Sequence, residues 1–172
     1  GSIANRARFH LEAAQAIISV WGPERVGVRL SPSGVHDDVT DSTPKETFGY
    51  LVKAFAALKI GYIHIMEALE GDLVSGPKAD AAYEPIPVSY FRPMYSGLII
   101  TNGRMDREKA NSYVERGDAD AVAFGRAFIA NPDLPERLRV KSALNTPDPA
   151  TFYGGAEKGY TDYPFLPVTN VI

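Results

Sequence analysis

Two neighbouring apolar runs, residues 98–101 and 119–124, each release a glycine followed by an arginine: Gly103-Arg104 and Gly125-Arg126. Runs this short and this apolar read as buried strands, and a helical pattern over residues 106–116 separates them. Strand, helix and strand in that order make a parallel pair joined by a right-handed crossover. The alternation extends back to the start of the chain. Ile3, Ala7, Leu11, Ala14, Ile17, Ile18 and Trp21 recur at helical spacing and predict a helix over residues 3–21. Ser2 suits its N-cap, and Gly22-Pro23 its end. A strand over residues 26–30 follows, then a helix over 44–59 with Pro44 in its first turn and Phe48, Leu51, Val52, Phe55 and Leu58 on its buried side. Gly61 is read as the stop of that helix, residues 62–66 as the next strand, and Gly117 as the stop of helix 106–116.

Residues 67–86, with Gly71, Gly76, Pro77 and Pro85, read as a long loop, and a short helix is expected within 87–96. Helical pieces are expected at 126–130 and 133–141. The chain is expected to form a single unit, with β/α units through residue 143 and an irregular tail over 144–172 rich in Pro, Gly and Tyr. One helix followed by four strand–helix units fits either an open doubly wound sheet or part of an eight-fold β/α barrel. A whole barrel takes eight strands and typically about 250 residues; this chain has 172. A four-stranded arc of barrel leaves two open edges and a bare inner face, which something should complete.

Hydrophobic residues make up 45% of the chain and charged residues 23%, with a net charge of −3. That balance fits a globular domain with a real core and lacks the clustered basic excess of a nucleic-acid binder. No run is long and apolar enough to predict a membrane span. The opening Gly1-Ser2-Ile3-Ala4-Asn5-Arg6 has no apolar signal region, which makes the cytoplasm the default expectation. The absence of cysteine excludes disulfides and thiolate chemistry.

Glycine lets backbone N–H groups approach a phosphate closely, and arginine adds charge and donors. In a β/α barrel the loops after strands seven and eight form a recurrent phosphate site, which the two glycine–arginine strand ends match. Arg29 lies within an apolar strand, Val26-Gly27-Val28-Arg29-Leu30, where a guanidinium is costly unless paired. It faces either an anion or electron-rich ring above the strand, or an acidic helix residue on the outward pleat. His10, His36 and His64 share no metal-ligand spacing, and no metal site is expected. His64 is expected to be a hydrogen-bonded core residue. Asp37, Asp38 and Asp41 read as a solvated loop, and Glu67 stands at a strand end without an assigned role. Tyr160, Tyr163 and Phe165 read as anchors of the tail. Neither a nucleophile elbow, a Walker loop nor a dinucleotide glycine fingerprint is present.

Four separated segments together resemble the old yellow enzyme family of FMN-dependent NAD(P)H oxidoreductases, or ene-reductases. They are Ser2-Ile3-Ala4-Asn5-Arg6-Ala7-Arg8-Phe9; Arg25 through Pro32; Phe124-Gly125-Arg126 with Asn131-Pro132-Asp133-Leu134; and Thr151-Phe152-Tyr153 with Gly159-Tyr160-Thr161-Asp162-Tyr163-Pro164. The resemblance covers nearly the whole chain, in order. It implies the C-terminal half of an eight-fold β/α (TIM) barrel, strands five to eight, needing a complementary half to close. It implies FMN as cofactor and NAD(P)H as reductant, with hydride passed to the C=C bond of an α,β-unsaturated carbonyl or nitro compound. Arg29 would lie at the N1–C2 carbonyl edge of the flavin and favour the anionic reduced ring. Gly103, Arg104, Gly125 and Arg126 would hold its phosphate, Phe152 would lie near the ring, and Tyr153 would line the substrate pocket. Many family members carry a second glycine where this chain has Arg104. The donor pair that polarises the substrate carbonyl, and the tyrosine proton donor, belong to the other half, so no catalytic residue is expected here. The complement would come from a second chain or from self-association. The rival readings are a non-flavin phosphate-binding barrel enzyme and an inactive half-barrel assembly module.

Overall fold

The computed structural model describes residues 1–34, 41–67, 85–154 and 156–167. His36, Asp37, Asp38 and most of the expected loop 67–86 lie outside the described residues. The chain divides into two compact units, Gly1–Ala123 and Phe124–Ile172, the division falling ahead of residue 144, where the composition of the tail changes.

The first unit is a four-stranded parallel sheet in sequential order: β1 (Gly27–Leu30), β2 (Tyr62–Met66), β3 (Leu98–Asn102) and β4 (Ala121–Val122). The connections carry α1 (Ile3–Trp21) before β1, α2 (Pro44–Ala57) after it, the short α3 (Val88–Phe91) ahead of β3, and α4 (Arg107–Glu115) between β3 and β4. Sequential parallel order with helical crossovers is the arrangement of a barrel wall; a doubly wound sheet reverses its order at a switch point. The helix 87–96 resolves into α3 and a 3₁₀ turn, Arg92–Met94, because Pro93 cannot continue an α-helical ladder.

Helix boundaries follow local chemistry. Ser2 caps α1, its Oγ accepting from the Asn5 N–H at 3.3 Å, and Gly22 ends it at φ 79°, donating to the Ile18 carbonyl. Asp106 caps α4 by accepting from the Lys109 N–H at 2.7 Å. The stop of α2 differs from expectation: Lys59, not Gly61, takes the left-handed turn, at φ 56°. Gly61 is needed for another reason, since a Cβ there would meet the Glu24 carbonyl oxygen at 2.3 Å.

Among the described residues, the fully buried strand side chains lie mostly on one face of the sheet. Leu30, Ile63, Ile65 and Ile99 point to the helices and pack with Ala7 and Ala14 of α1 and Leu51, Val52 and Phe55 of α2. Each large apolar side chain so buried stabilises the unit by roughly 1.5–3 kcal/mol. Ile17 and Trp21, expected on the buried side of α1, are instead exposed, because only Ala7 and Ala14 seat fully against α2 and the sheet. Strand side chains alternate between faces, so Arg29, His64 and Ile100, which align in register, share the opposite face with Tyr62, Met66, Leu98 and Asn102. On that face Tyr62 and Leu98 remain 41% and 44% exposed and Arg29 is exposed, while His64, Met66, Ile100 and Asn102 are half-buried.

The second unit holds α5 (Arg126–Ala130), α6 (Leu134–Val140) and a tail with a 3₁₀ turn at Pro149–Thr151. The strand expected over 119–124 shrinks to Ala121–Val122 because β4 is an edge, paired only with β3.

Candidate functional site

On the open face of the first unit, three polar side chains stand among apolar neighbours toward the C-terminal ends of the strands. Arg29 is exposed, and its guanidinium donates to the Met66 sulfur at 2.9 Å. Among the described residues no carboxylate pairs with it, and its register with His64 puts it on the sheet face opposite Ile63 and Ile65, away from the helix-facing pleat. His64 meets Asn102 through Nε2 and Oδ1 at 2.8 Å. It is hydrogen-bonded as expected, but it lies half-buried on the open face, outside the core. Burial lowers its pKa, the Asn102 bond opposes that, and the nearby Arg29 charge lowers it further. The net direction favours the neutral ring beside the Arg29 cation.

Immediately beyond Asn102 the chain turns through Gly103 at φ 145° and Arg104 at φ 41°. Gly103 is required here, since a Cβ would meet the Glu67 carbonyl oxygen at 2.7 Å in a backbone conformation that side chains rarely adopt. Arg104 takes the left-handed region that a second glycine would occupy without strain, and its side chain is exposed. The turn is held from three sides. The Glu67 N–H donates to the Asn102 carbonyl at 2.9 Å, Lys109 Nζ donates to the Gly103 carbonyl at 3.0 Å, and the Glu67 backbone packs beneath Gly103.

In the second unit the other glycine–arginine pair opens α5. Gly125 is exposed with φ −97°, and nothing lies within 4 Å of where its Cβ would be. Arg126, the first residue of α5, is exposed. Phe152 is half-buried, and its carbonyl accepts from the Tyr160 hydroxyl at 3.2 Å. Tyr153 is 95% exposed. The described structure brings Arg29, His64 and Asn102 together beside Gly103 and Arg104; Gly125, Arg126, Phe152 and Tyr153 all belong to the second unit.

Asn131-Pro132-Asp133-Leu134 has a structural use that sequence reasoning missed. Asp133 pairs with the buried Arg137 at 2.6 Å and accepts from the Leu166 N–H at 2.6 Å. Arg137 also donates to the Ala143 and Pro164 carbonyls, each at 2.8 Å, and Asn131 Oδ1 accepts from the Asn145 N–H at 2.7 Å. Burial opposes ionisation of Asp133, but the Leu166 N–H and Arg137 outweigh it and hold the carboxyl below the usual aspartate range. Tyr163 extends this clasp by accepting from the Asp148 N–H at 2.8 Å. The i, i+4 spacing of Asp133 and Arg137 is the one sequence signal that could have found it.

Sheet order and local geometry together define an α/β protein with a sequential parallel sheet, as in a barrel wall, and a cationic, glycine-containing turn after β3. The sequence model of the NADH:flavin oxidoreductase / NADH oxidase family matches residues 1–145. A probable flavin mononucleotide-dependent alkene reductase of Leishmania infantum is 40% identical over 96% of this chain and 43% of its own length. Morphinone reductase superposes with a TM-score of 0.84 at 46% identity, over 96% of this chain and 43% of that one. The old yellow enzyme from Trypanosoma cruzi superposes with a TM-score of 0.83 at 36% identity, over 96% and 42%. The chain belongs to the old yellow enzyme family of FMN-dependent NAD(P)H oxidoreductases. FMN is the cofactor of that family and NAD(P)H its reductant. The match does not favour a non-flavin barrel enzyme or an inactive assembly module. The chain spans under half the length of these relatives. Among the described residues no helix is long and apolar enough to cross a membrane, and no cluster of metal-ligating side chains occurs.

Proposed function

We propose that this chain is the C-terminal half-barrel, strands five to eight, of an FMN-dependent ene-reductase. In this reading it holds the phosphate and one edge of the flavin. The observation that carries the reading is the open face of the parallel sheet. Parallel sheets are buried on both faces, yet here Arg29, Tyr62 and Leu98 stay exposed on the face that carries His64 and Asn102, toward the strand ends where barrel enzymes place their chemistry. A complementary half-barrel would cover that face. It would come from a second chain, from a second copy of this one, or from a longer form of the same polypeptide.

The residues present fit the phosphate end of FMN. The Gly103–Arg104 turn runs through two positive φ angles with a cation on it, and Gly125 has open space where a side chain would stand. Gly103, Arg104, Gly125 and Arg126 take the phosphate-binding roles, and Phe152 a place near the ring. Bound FMN supplies hydride transfer from NAD(P)H to the C=C bond of an α,β-unsaturated carbonyl or nitro compound. By the family resemblance, Arg29 would present charge and donors to the N1–C2 edge of the ring and would favour negative charge there. Tyr153, almost wholly exposed, becomes part of the substrate wall once the complement is present.

Mixing this chain with the N-terminal half of a family relative, FMN and an activated alkene should produce NADPH oxidation that neither half shows alone. Equal turnover by this chain alone would sink the half-enzyme reading.

A further inference from the structure

Among the described residues of the first unit, Glu67 is the one buried carboxylate, and the proposed flavin site has no use for it. It is 6% exposed. Its Oε1 accepts from the Val88 N–H at 2.6 Å, and its Oε2 from the Tyr113 hydroxyl at 2.6 Å. Burial, the Glu67 bond and the Glu67 charge push the Tyr113 pKa well above the ordinary tyrosine value, so the phenol keeps the proton it donates. The Tyr113 ring lies beneath Lys109 Nζ, 5.7 Å from the ring centroid, and that ammonium holds the Gly103 carbonyl at 3.0 Å. The Glu67 backbone forms the floor under Gly103.

This chain of contacts has a geometric consequence. The carbonyl of Gly103 and the N–H of Arg104 belong to one planar trans peptide and point in opposite directions. Tying the carbonyl to α4 through Lys109 therefore fixes the direction of the N–H on the other side. A left-handed, glycine-containing turn has more than one accessible peptide orientation, so something must select one.

We propose that Glu67, acting through Tyr113 and Lys109, is a positioning residue that sets the Gly103–Arg104 turn for a phosphate monoester. Glu67 touches no ligand itself; it holds the tyrosine that seats the lysine that holds the peptide. The proposal rests on the flavin reading above, and it assigns the relay to the phosphate end of the ligand alone. FMN and riboflavin share ring and ribityl chain and differ only in the phosphate, so the ratio of their affinities isolates that end.

The test measures quenching of flavin fluorescence by the full chain with FMN and with riboflavin, for wild type, Tyr113→Phe and Glu67→Gln. Wild type should bind FMN more tightly than riboflavin. Tyr113→Phe changes no charge and keeps the ring under Lys109. It should weaken FMN about ten-fold, the scale of one hydrogen bond to a charged group, and leave riboflavin within about two-fold. Glu67→Gln removes a negative charge near the turn, so simple electrostatics would tighten FMN. The relay instead requires it to weaken FMN several-fold with riboflavin unchanged. Equal loss of both flavins in both variants would show general destabilisation and overturn the proposal, as would tighter FMN binding by Glu67→Gln. A wild type with no preference for FMN would overturn the phosphate assignment, and the relay with it. Should Tyr113→Phe fail to fold, Glu67→Gln alone decides the sign.

Discussion

The two glycine–arginine turns carry the same sequence signature and are built on different principles. At Gly103 the chain itself demands glycine: φ is 145°, and a Cβ would strike the Glu67 carbonyl at 2.7 Å. At Gly125 it does not: φ is −97° and the space where a side chain would stand is empty. The first turn is held by Lys109 on the Gly103 carbonyl and by Glu67, whose N–H bonds the carbonyl of the preceding Asn102. The second is left open at the head of a short helix, with its own unit tied together elsewhere, through Asp133 and Arg137. A glycine that the fold requires and a glycine that only a ligand could require look identical in a sequence.

Alanine substitution separates them most strongly. Gly103→Ala should cost about 2–3 kcal/mol of folding stability, from left-handed strain plus backbone overlap. Gly125→Ala should stay within about 0.5 kcal/mol while weakening FMN retention, because a methyl would intrude only on the ligand. Denaturant unfolding of both variants checks the pair, and equal stability losses would erase the distinction. Next in size, Arg126→Ala should weaken FMN about ten-fold with an unchanged Tm, as expected for an exposed cation facing a phosphate. Unchanged flavin affinity would return Arg126 to an ordinary helix start.

The smallest effect concerns acid. The folded-state pKa of Asp133 is depressed, so the clasp contributes stability above the unfolded aspartate value of about 3.9 and loses it as pH falls through the folded value. Protection of the Leu166 amide, taken relative to its intrinsic exchange rate, should therefore fall below about pH 4, while the Val88 amide, held by Glu67 inside the first unit, is not governed by Asp133. Identical acid profiles at the two amides would remove the contrast.

The helices and three of the four strands were legible because apolar spacing is a local signal, and so was the cap at Ser2; Asp106, read as the first residue of its helix, proved to be the cap of α4. What escaped depended on distant partners. Asp133 finds Leu166 across 33 residues, and Asn131 finds Asn145 across 14. A motif that resembled part of a phosphate segment thus includes the anchor of the tail. Glu67 was visible as a strand-end carboxylate, but its use depends on Val88 and Tyr113, 21 and 46 residues away. Arg29 left two readings open because pleat direction in a short apolar strand cannot be read from the strand alone; the alignment of Arg29 with His64 decides it. Lys59 took a turn that glycine usually takes, and Gly61 proved necessary for its lack of a side chain against Glu24.

In the proposed reading, the open sheet face is one wall of a flavin-binding barrel that a complementary half completes. Light scattering with a simultaneous absorbance scan, on this chain mixed with FMN and a family N-terminal half, tests it most directly. The account predicts one peak of one-to-one mass that carries the yellow flavin absorbance. Two separate peaks, with the flavin eluting free of both, would contradict it.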